Sequence, residues 1–393
     1  MTFGEKQVAI TGIGQSEIAR PSSRSALLLT IDAILAAIED AGLTPADIDG
    51  LTTWPGRMDS DPGFGPVGTT DIKEALGLKL NYFAGGKEAP AQFGAAINAI
   101  GAIAAGLARH VVVFRTVYEA TTRKQTGAGT AFGTARVPDA RFQWQLPMGA
   151  MSASNWTALY AQRHFHDYGT TREQMAQIPL NCRRNAALNP KAIYRTPLTL
   201  DDYMGARMIS TPLCLYDCDV PVDGATAIIF SRADAAGDLR HAPIRLEAVG
   251  SALHGRDSWD QRADLTSMAA FDAAKMMWSR TDMKPSDIDT AQLYDGFTIL
   301  TMLWLEALGF CGKGESGAFI EEGTRIALAG ELPLNTSGGQ LSEGRVHGYG
   351  YLHEACLQLR GTAGARQIAK PVNTAVVGTG GGPLASCMLL RND

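Results

Sequence analysis

The chain has 393 residues, 45% of them hydrophobic and 19% charged, and a formal net charge of −5 spread without long runs of one sign. That length fits two to three domains of ordinary size or one large duplicated α/β body, and either buries a substantial core. With no basic stripe there is no electrostatic footprint for nucleic acid.

The opening MTFGEKQVAITGIGQSEIA has no basic leader followed by a long apolar core. Nor does any stretch of about 18 uncharged apolar residues suit a membrane span, so the expectation is a cytoplasmic protein. Residues 7–14, QVAITGIG, read as a strand ending in glycines. Residues 23–54 read as an amphipathic helix closed by Gly42 and a turn into a second strand. After an irregular Gly/Pro/Asp stretch over 55–70, residues 93–118 predict a small-residue helix with Gly106 near its end, then the apolar strand HVVVFR. Its alanines and glycines allow close helix approach, in the body or at an interface.

Residues 119 to about 220 are richer in polar and aromatic residues and read as helices and loops inserted between sheet elements. His164 and His166 fall there in QRHFHDYG, and a solvated helix end is the expectation rather than a metal site. The sheet resumes with GATAIIFSR (224–232). From about residue 245 the opening order returns: a strand over 244–253, helix, turn and strand over 266–297, and a helix over 299–310. LTPADIDGLTTW (43–54) and MKPSDIDTAQLY (283–294) each follow an amphipathic helix and lead into a strand, the mark of internal duplication.

The six cysteines, Cys182, Cys214, Cys218, Cys311, Cys356 and Cys387, are too scattered for a disulfide scaffold. Cys214 and Cys218 form a CxxxC pair without a second Cys or His cluster, so no metal site is expected and small buried thiols are favoured. The glycine loops NTSGGQ (335–340) and GTGGGP (378–383) match neither a dinucleotide fingerprint nor a phosphate-binding loop. Through Gly338, Gly339, Gly380 and Gly381 they permit close backbone approach and could offer N–H donors to an oxyanion.

The segments 189–230, AQLYDGFTILTMLWLEALGFCGKGE (291–315), LPLNTSGGQLSEGRVHGYGYLHEACLQLRG (332–361) and TAVVGTGGGPLASCMLL (374–390) resemble the thiolase superfamily, in its sterol carrier protein thiolase and lipid-transfer-protein branch. The resemblance covers essentially the whole chain. It implies a duplicated five-layered α-β-α-β-α body, with a first half over 1–240 carrying an inserted loop region at about 119–220 and a second half over 241–393. It also implies a homodimer, joined where residues 93–115 lie, and an acyl-CoA thioester as substrate with no tightly bound cofactor.

The departures from that family define the chemistry. A thiolase needs a nucleophilic cysteine at a helix start in its first half; here that position falls near Ala89 in GGKEAPAQFG, and no cysteine precedes Cys182. The C-terminal glycine loop has none until Cys387, Arg345 replaces the histidine of the Gly-His-Pro motif with His347 two residues on, and Tyr294 replaces an Asn or His. A Tyr-Asp-x-Phe motif with a VHG loop resembles the aldolase-like members of steroid side-chain breakdown, which act with a small zinc-ribbon and OB-fold partner. Retro-aldol cleavage of a β-hydroxyacyl-CoA needs a proton taken from the hydroxyl and an enolate stabilised, and neither step needs a thiol.

Tyr294 is the leading acid/base candidate, with Asp295 orienting its loop. His347 offers an imidazole N–H to a thioester oxygen. A second tyrosine of the aldolase-like pattern is replaced by Arg345, which could supply positive charge, while Tyr349 or Tyr351 could supply a hydroxyl from the next turn. A cysteine-independent acyltransferase and a non-catalytic thiolase-like subunit of a complex remain as alternative readings.

Overall fold

The computed structural model describes residues 3–126, 145, 148–237 and 239–392. Among these residues nine strands form one mixed sheet in the order β3-β2-β4-β7-β1-β8-β11-β10-β9. The strands are β1 (Val8–Gln15), β2 (Gly50–Thr53), β3 (Tyr82–Gly85), β4 (His110–Tyr118), β7 (Asp223–Arg232), β8 (Ile244–Ala252), β9 (Thr290–Leu293), β10 (Thr374–Gly381) and β11 (Leu384–Arg391). Two short strands between them, β5 (Met208–Ser210) and β6 (Leu213–Cys214), pair separately.

The duplication is visible in the pairing. In the first half β1 is antiparallel to β7, β7 antiparallel to β4, and β4 parallel to β2. In the second half β8 is antiparallel to β11, β11 antiparallel to β10, and β10 parallel to β9. The halves touch edge to edge where Ala9 and Ile10 face Arg245 and Ile244.

Local sequence accounts for the repeated elements. Ser25 caps the helix Ala26–Ala41 by accepting from Leu28 N–H, and Gly42 ends it in a left-handed conformation at φ 73°. Its buried positions Leu29, Ala33, Ile34, Ala37, Ile38 and Ala41 follow helical spacing and face the first half-sheet. The turns Pro45–Asp47 and Pro285–Asp287 are the same device twice: the Asp47 and Asp287 carboxylates accept from the Thr44 and Lys284 N–H groups, each at 2.8 Å. A Cβ on Gly14 would lie 2.1 Å from Ala33 O, and one on Gly250 would lie 2.0 Å from Ala273 O, so both half-sheets need glycine where their outer helix presses closest.

The layering follows from what each helix covers. Helices Ala26–Ala41 and Ala269–Trp278 lie outside, on β1/β4/β7 and on β8/β11 respectively. Helix Gly94–Ala104 packs on β2 and β4, while Tyr349–Arg360 packs on β9 and β10 and reaches across to β1 and β7, which makes the middle layer. One apolar cluster runs through that layer from Val111 and Phe93 to Leu352 and Val376.

The segment 93–115 takes the first of its two expected places, largely buried in the body, because its helix supplies the middle layer and β4 is an interior strand. His166 is exposed as expected, but His164 is fully buried. Its Nδ1 lies 2.8 Å from Thr170 Oγ1 and its Nε2 2.8 Å from Glu306 Oε1, which ties helix Ala153–Tyr168 to helix Thr298–Ala307.

Candidate active site

Tyr294 stands one residue beyond β9, and its N–H donates to Gly378 O at 3.0 Å, continuing the parallel ladder with β10. The chain then folds back under the phenol: a Cβ on Gly296 would lie 2.6 Å from Tyr294 Cε1. Glycine is therefore required there by the ring itself.

The neighbouring carboxylate points the other way. Asp295 is fully buried and accepts from Gln340 N–H at 2.8 Å, from Cys182 Sγ at 3.4 Å and from the Tyr351 hydroxyl, while its own N–H donates to Tyr351 Oη at 3.0 Å. The phenol and the carboxylate sit side by side because one serves the site and the other fastens the loop to the helix carrying Tyr351. Burial pushes the Asp295 pKa up, against the hydrogen bonds from Tyr351 and Gln340.

His347 reaches the same place from the glycine-rich loop, in a left-handed conformation at φ 55°. Its ring centre is 6.5 Å from that of Tyr294 and 4.9 Å from that of Phe64. Arg115 Nη2 lies 3.0 Å from His347 Nδ1. A guanidinium only donates, so Nδ1 accepts and the ring proton sits on Nε2. Burial, with the charges of Arg115 and Arg345, holds the His347 pKa well below the usual imidazole range, so the ring is neutral. Arg115 is itself buried, its other bonds go to Phe64 O and Thr116 O, each at 2.6 Å, and burial lowers its pKa to about 10.

Arg345, which the sequence offered as a source of positive charge, has acidic partners of its own. Its Nη2 binds Glu119 Oε2 and its Nη1 lies 3.4 Å from an Asp219 oxygen, so two carboxylates occupy the charge. Asp219 lies beside Tyr294 and Arg345 although its sequence context, one of three aspartates in DCDVPVD (217–223), gave no signal. Its N–H donates to Gly296 O at 3.2 Å, and burial raises its pKa to about 7 despite Arg345. The Tyr294 pKa is raised by burial first and by the charge of Asp219 second, so the phenol keeps its proton at neutral pH. The Gln340 amide lies beside that phenol and favours the ionised form, though it makes no well-aligned hydrogen bond.

Tyr349 starts the helix Tyr349–Arg360 and packs edge-on against Phe93 with ring centres 6.1 Å apart. Its hydroxyl is buried and without a hydrogen-bond partner among the described residues. The glycines act by close packing. Gly338 donates its N–H to Asn335 O at 2.9 Å, and a Cβ on Gly339 would lie 2.0 Å from Asp295 Oδ2. Gly380 and Gly381 lie in the β10 ladder opposite Ala385 and Leu384 rather than in an open loop. A Cβ on Gly380 would meet Ala91 at 2.7 Å and one on Gly348 would meet Thr379 at 2.7 Å, which brings the Ala89, His347 and Gly380 stretches to one point. Beside Ala89 and Pro90 opens a cavity of 980 Å³ walled by Trp156, Leu253, Trp259 and Leu384.

Of the residues singled out from sequence, Tyr294, His347 and Tyr349 converge on this point, Asp295 stands behind them, and Arg345 is paired away. Arg115, Asp219 and Gln340 had no readable motif: each is one polar residue in an ordinary strand, turn or short helix, and only the fold shows its neighbours.

Residues 251–390 match the family described as thiolase C-terminal domain-like. The chain is 35% identical over 388 residues to the steroid side-chain-cleaving aldolase of Thermomonospora curvata, covering 97% of each. It is 35% identical to the 17-hydroxy-3-oxo-4-pregnene-20-carboxyl-CoA lyase of Mycobacterium tuberculosis, covering 91% of this chain and 92% of the relative. Among solved structures it is similar to the Ltp2-ChsH2(DUF35) aldolase, with a TM-score of 0.88, 34% identity and coverage of 99% and 98%. With its duplicated sheet, its thiol-free nucleophile position and its tyrosine–histidine pair, the chain belongs to the thiolase superfamily and, within it, to the aldolase-like branch.

Proposed function

We propose that this protein is a carbon–carbon lyase, a retro-aldolase that splits the Cα–Cβ bond of a β-hydroxyacyl-CoA whose acyl part is a steroid or another bulky group. The observation that carries this reading is the pairing of Tyr294 with the neutral imidazole of His347, ring centres 6.5 Å apart, in a thiolase fold with alanine at the nucleophile position. The named activities of the aldolase and lyase relatives support it.

Retro-aldol cleavage moves one proton from the β-oxygen to Cα and needs no net acid or base. Because the phenol is protonated, the two transfers are coupled: as the hydroxyl proton passes to Tyr294 Oη, the phenol's own proton passes to Cα while the Cα–Cβ bond breaks. Enolate character develops on the thioester oxygen during that step, the β-carbon becomes a carbonyl, and the products are a shortened acyl-CoA and a ketone or aldehyde. A buried phenol that keeps its proton suits this exchange better than a standing phenolate. His347 Nε2–H stabilises the enolate oxygen, and Tyr349 supplies the second hydroxyl, in place of the tyrosine that Arg345 replaces.

The rest of the reading is that no tightly bound cofactor is used, the enzyme is cytoplasmic, and its halves divide near residue 240. A zinc-ribbon/OB-fold partner is supported by similarity to an aldolase structure named for two components. A homodimer is supported by β3, a sheet edge that leaves Phe83 63% exposed; a monomer in light scattering at micromolar concentration would remove it. The decisive experiment is mass-spectrometric product analysis on a panel of β-hydroxyacyl-CoAs, with and without the partner. Shortened acyl-CoA with an equimolar carbonyl compound is expected, and no cleavage under either condition would overturn the assignment.

A further inference from the structure

Gln340 is 2% exposed, and both atoms of its side-chain amide are buried without a hydrogen-bond partner among the described residues. Its main chain is fixed on both sides: the N–H donates to Asp295 Oδ1 at 2.8 Å, and the C=O accepts from Val220 N–H at 3.0 Å. The side chain thus lies beside the Tyr294 phenol on a rigid support. A buried amide whose polar neighbour is a poorly aligned phenol is costly in the free protein and calls for a bound water or a ligand group to complete it. Two further unpaired atoms, Gln92 Oε1 in the loop before helix Gly94–Ala104 and Tyr349 Oη at the start of helix Tyr349–Arg360, lie on segments that meet at this site.

We propose that the Gln340 amide is a substrate-binding group that donates Nε2–H to the substrate's β-oxygen, the same oxygen whose proton passes to Tyr294. The inference rests on the retro-aldolase reading for the identity of that oxygen. It gives the amide a catalytic consequence. As the proton leaves, negative charge grows on the oxygen, and a fixed donor binds it more strongly than the ground-state hydroxyl. It also gives a specificity consequence. A site built to hydrogen-bond a hydroxyl discriminates against an analogue lacking it, because the amide is then left unpaired.

The test compares wild type with Gln340→Met, which keeps length and unbranched shape, and Gln340→Leu, which removes both polar atoms in a second apolar shape. The ligands are a β-hydroxyacyl-CoA and its β-deoxy counterpart, with dissociation constants read by stopped-flow fluorescence in the first turnover. Wild type should prefer the hydroxy compound by about tenfold. Both variants should lose the preference, with turnover reduced on the order of 10²-fold. Because an unsatisfied group is removed, Gln340→Met should also melt at an equal or higher temperature than wild type.

A wild type without preference, or a Met variant that retains it, would overturn the proposal. A lower melting temperature with equal loss of affinity for both ligands would assign Gln340 to packing instead. Binding preference is read separately from product formation. A chain that prefers the hydroxy ligand yet releases no carbonyl compound would therefore refute the retro-aldolase reading and leave the Gln340 contact standing.

Discussion

Arg115 donates to His347 Nδ1 at 3.0 Å from a strand 232 residues earlier in the chain, and in doing so decides which nitrogen of the imidazole carries the proton. His347→Ala is expected to lower kcat on the order of 10²-fold with little change in KM, the mark of a donor that acts on the enolate. Arg115→Met leaves the ring free to take either tautomer and should lower kcat in the same direction by a smaller factor. Because the His347 pKa is held well below the usual range, the wild-type rate should show no acid limb near pH 6.5 from this residue. Such a limb in the pH–rate profile, lost in His347→Ala, would contradict the neutral-donor assignment.

Tyr294→Phe removes one hydroxyl and keeps the ring that lies over Gly296. The expected result is a drop in kcat on the order of 10²-fold or more, with stability changed by about 1 kcal/mol or less. Tyr349→Phe removes a buried hydroxyl that has no protein partner, so it should leave stability unchanged or slightly higher while lowering kcat. Paired measurements of turnover and urea midpoint separate the roles, and full turnover in either variant would withdraw that residue from the chemistry.

The charge of Arg345 is taken up by Glu119 and Asp219. Arg345→Ala leaves Glu119 and Asp219 uncompensated in the interior and should cost about 3–5 kcal/mol in denaturant unfolding. The Asp219 pKa, raised to about 7 by burial, gives a signed pH effect. A carboxyl whose folded pKa exceeds its unfolded value contributes stability that is full at low pH and lost as pH rises through about 7. Relative to Asp219→Asn, wild type should therefore become less stable from about pH 4 to about pH 7 and level off above. A difference that stays flat across that range would show that Asp219 is ionised throughout.

Thiol reagents should leave turnover intact. The family's nucleophile position falls near Ala89 and no cysteine precedes Cys182, whose thiol donates to Asp295 and is pushed well above the usual thiol range by burial. Rapid stoichiometric inactivation by iodoacetamide, protected by acyl-CoA, would point to a covalent step.

The fold was legible because its signals are local and repeated: the Pro-x-Asp turns after amphipathic helices, the apolar strands, and the glycines where strand and helix touch. The clustering of Tyr294, Asp295, His347 and Tyr349 was legible because the first two follow a strand and the last two lie in and just after a glycine-rich loop. The pairing of Arg345 was not legible because its two acidic partners, Glu119 and Asp219, come from distant segments, and charge neutralisation depends on who the neighbours are. His164 was misread for the same reason, since Glu306 reaches it across 142 residues. Gln340 gave no signal, because an unsatisfied amide is defined by an absence of partners that no linear pattern records.

The strand order has a consequence for biosynthesis. Strand β9, which carries Tyr294 at its end, joins the sheet only through β10, and β10 joins β8 only through β11. The hairpin over 374–391 is the last of these strands to leave the ribosome, and it fills the gap between two that left long before. Until it arrives, the Tyr294 N–H has no Gly378 carbonyl to bind. A nascent chain stopped short of residue 374 would hold every side chain assigned to the chemistry and still lack the strand that sets their positions, so activity should appear only after this hairpin is made.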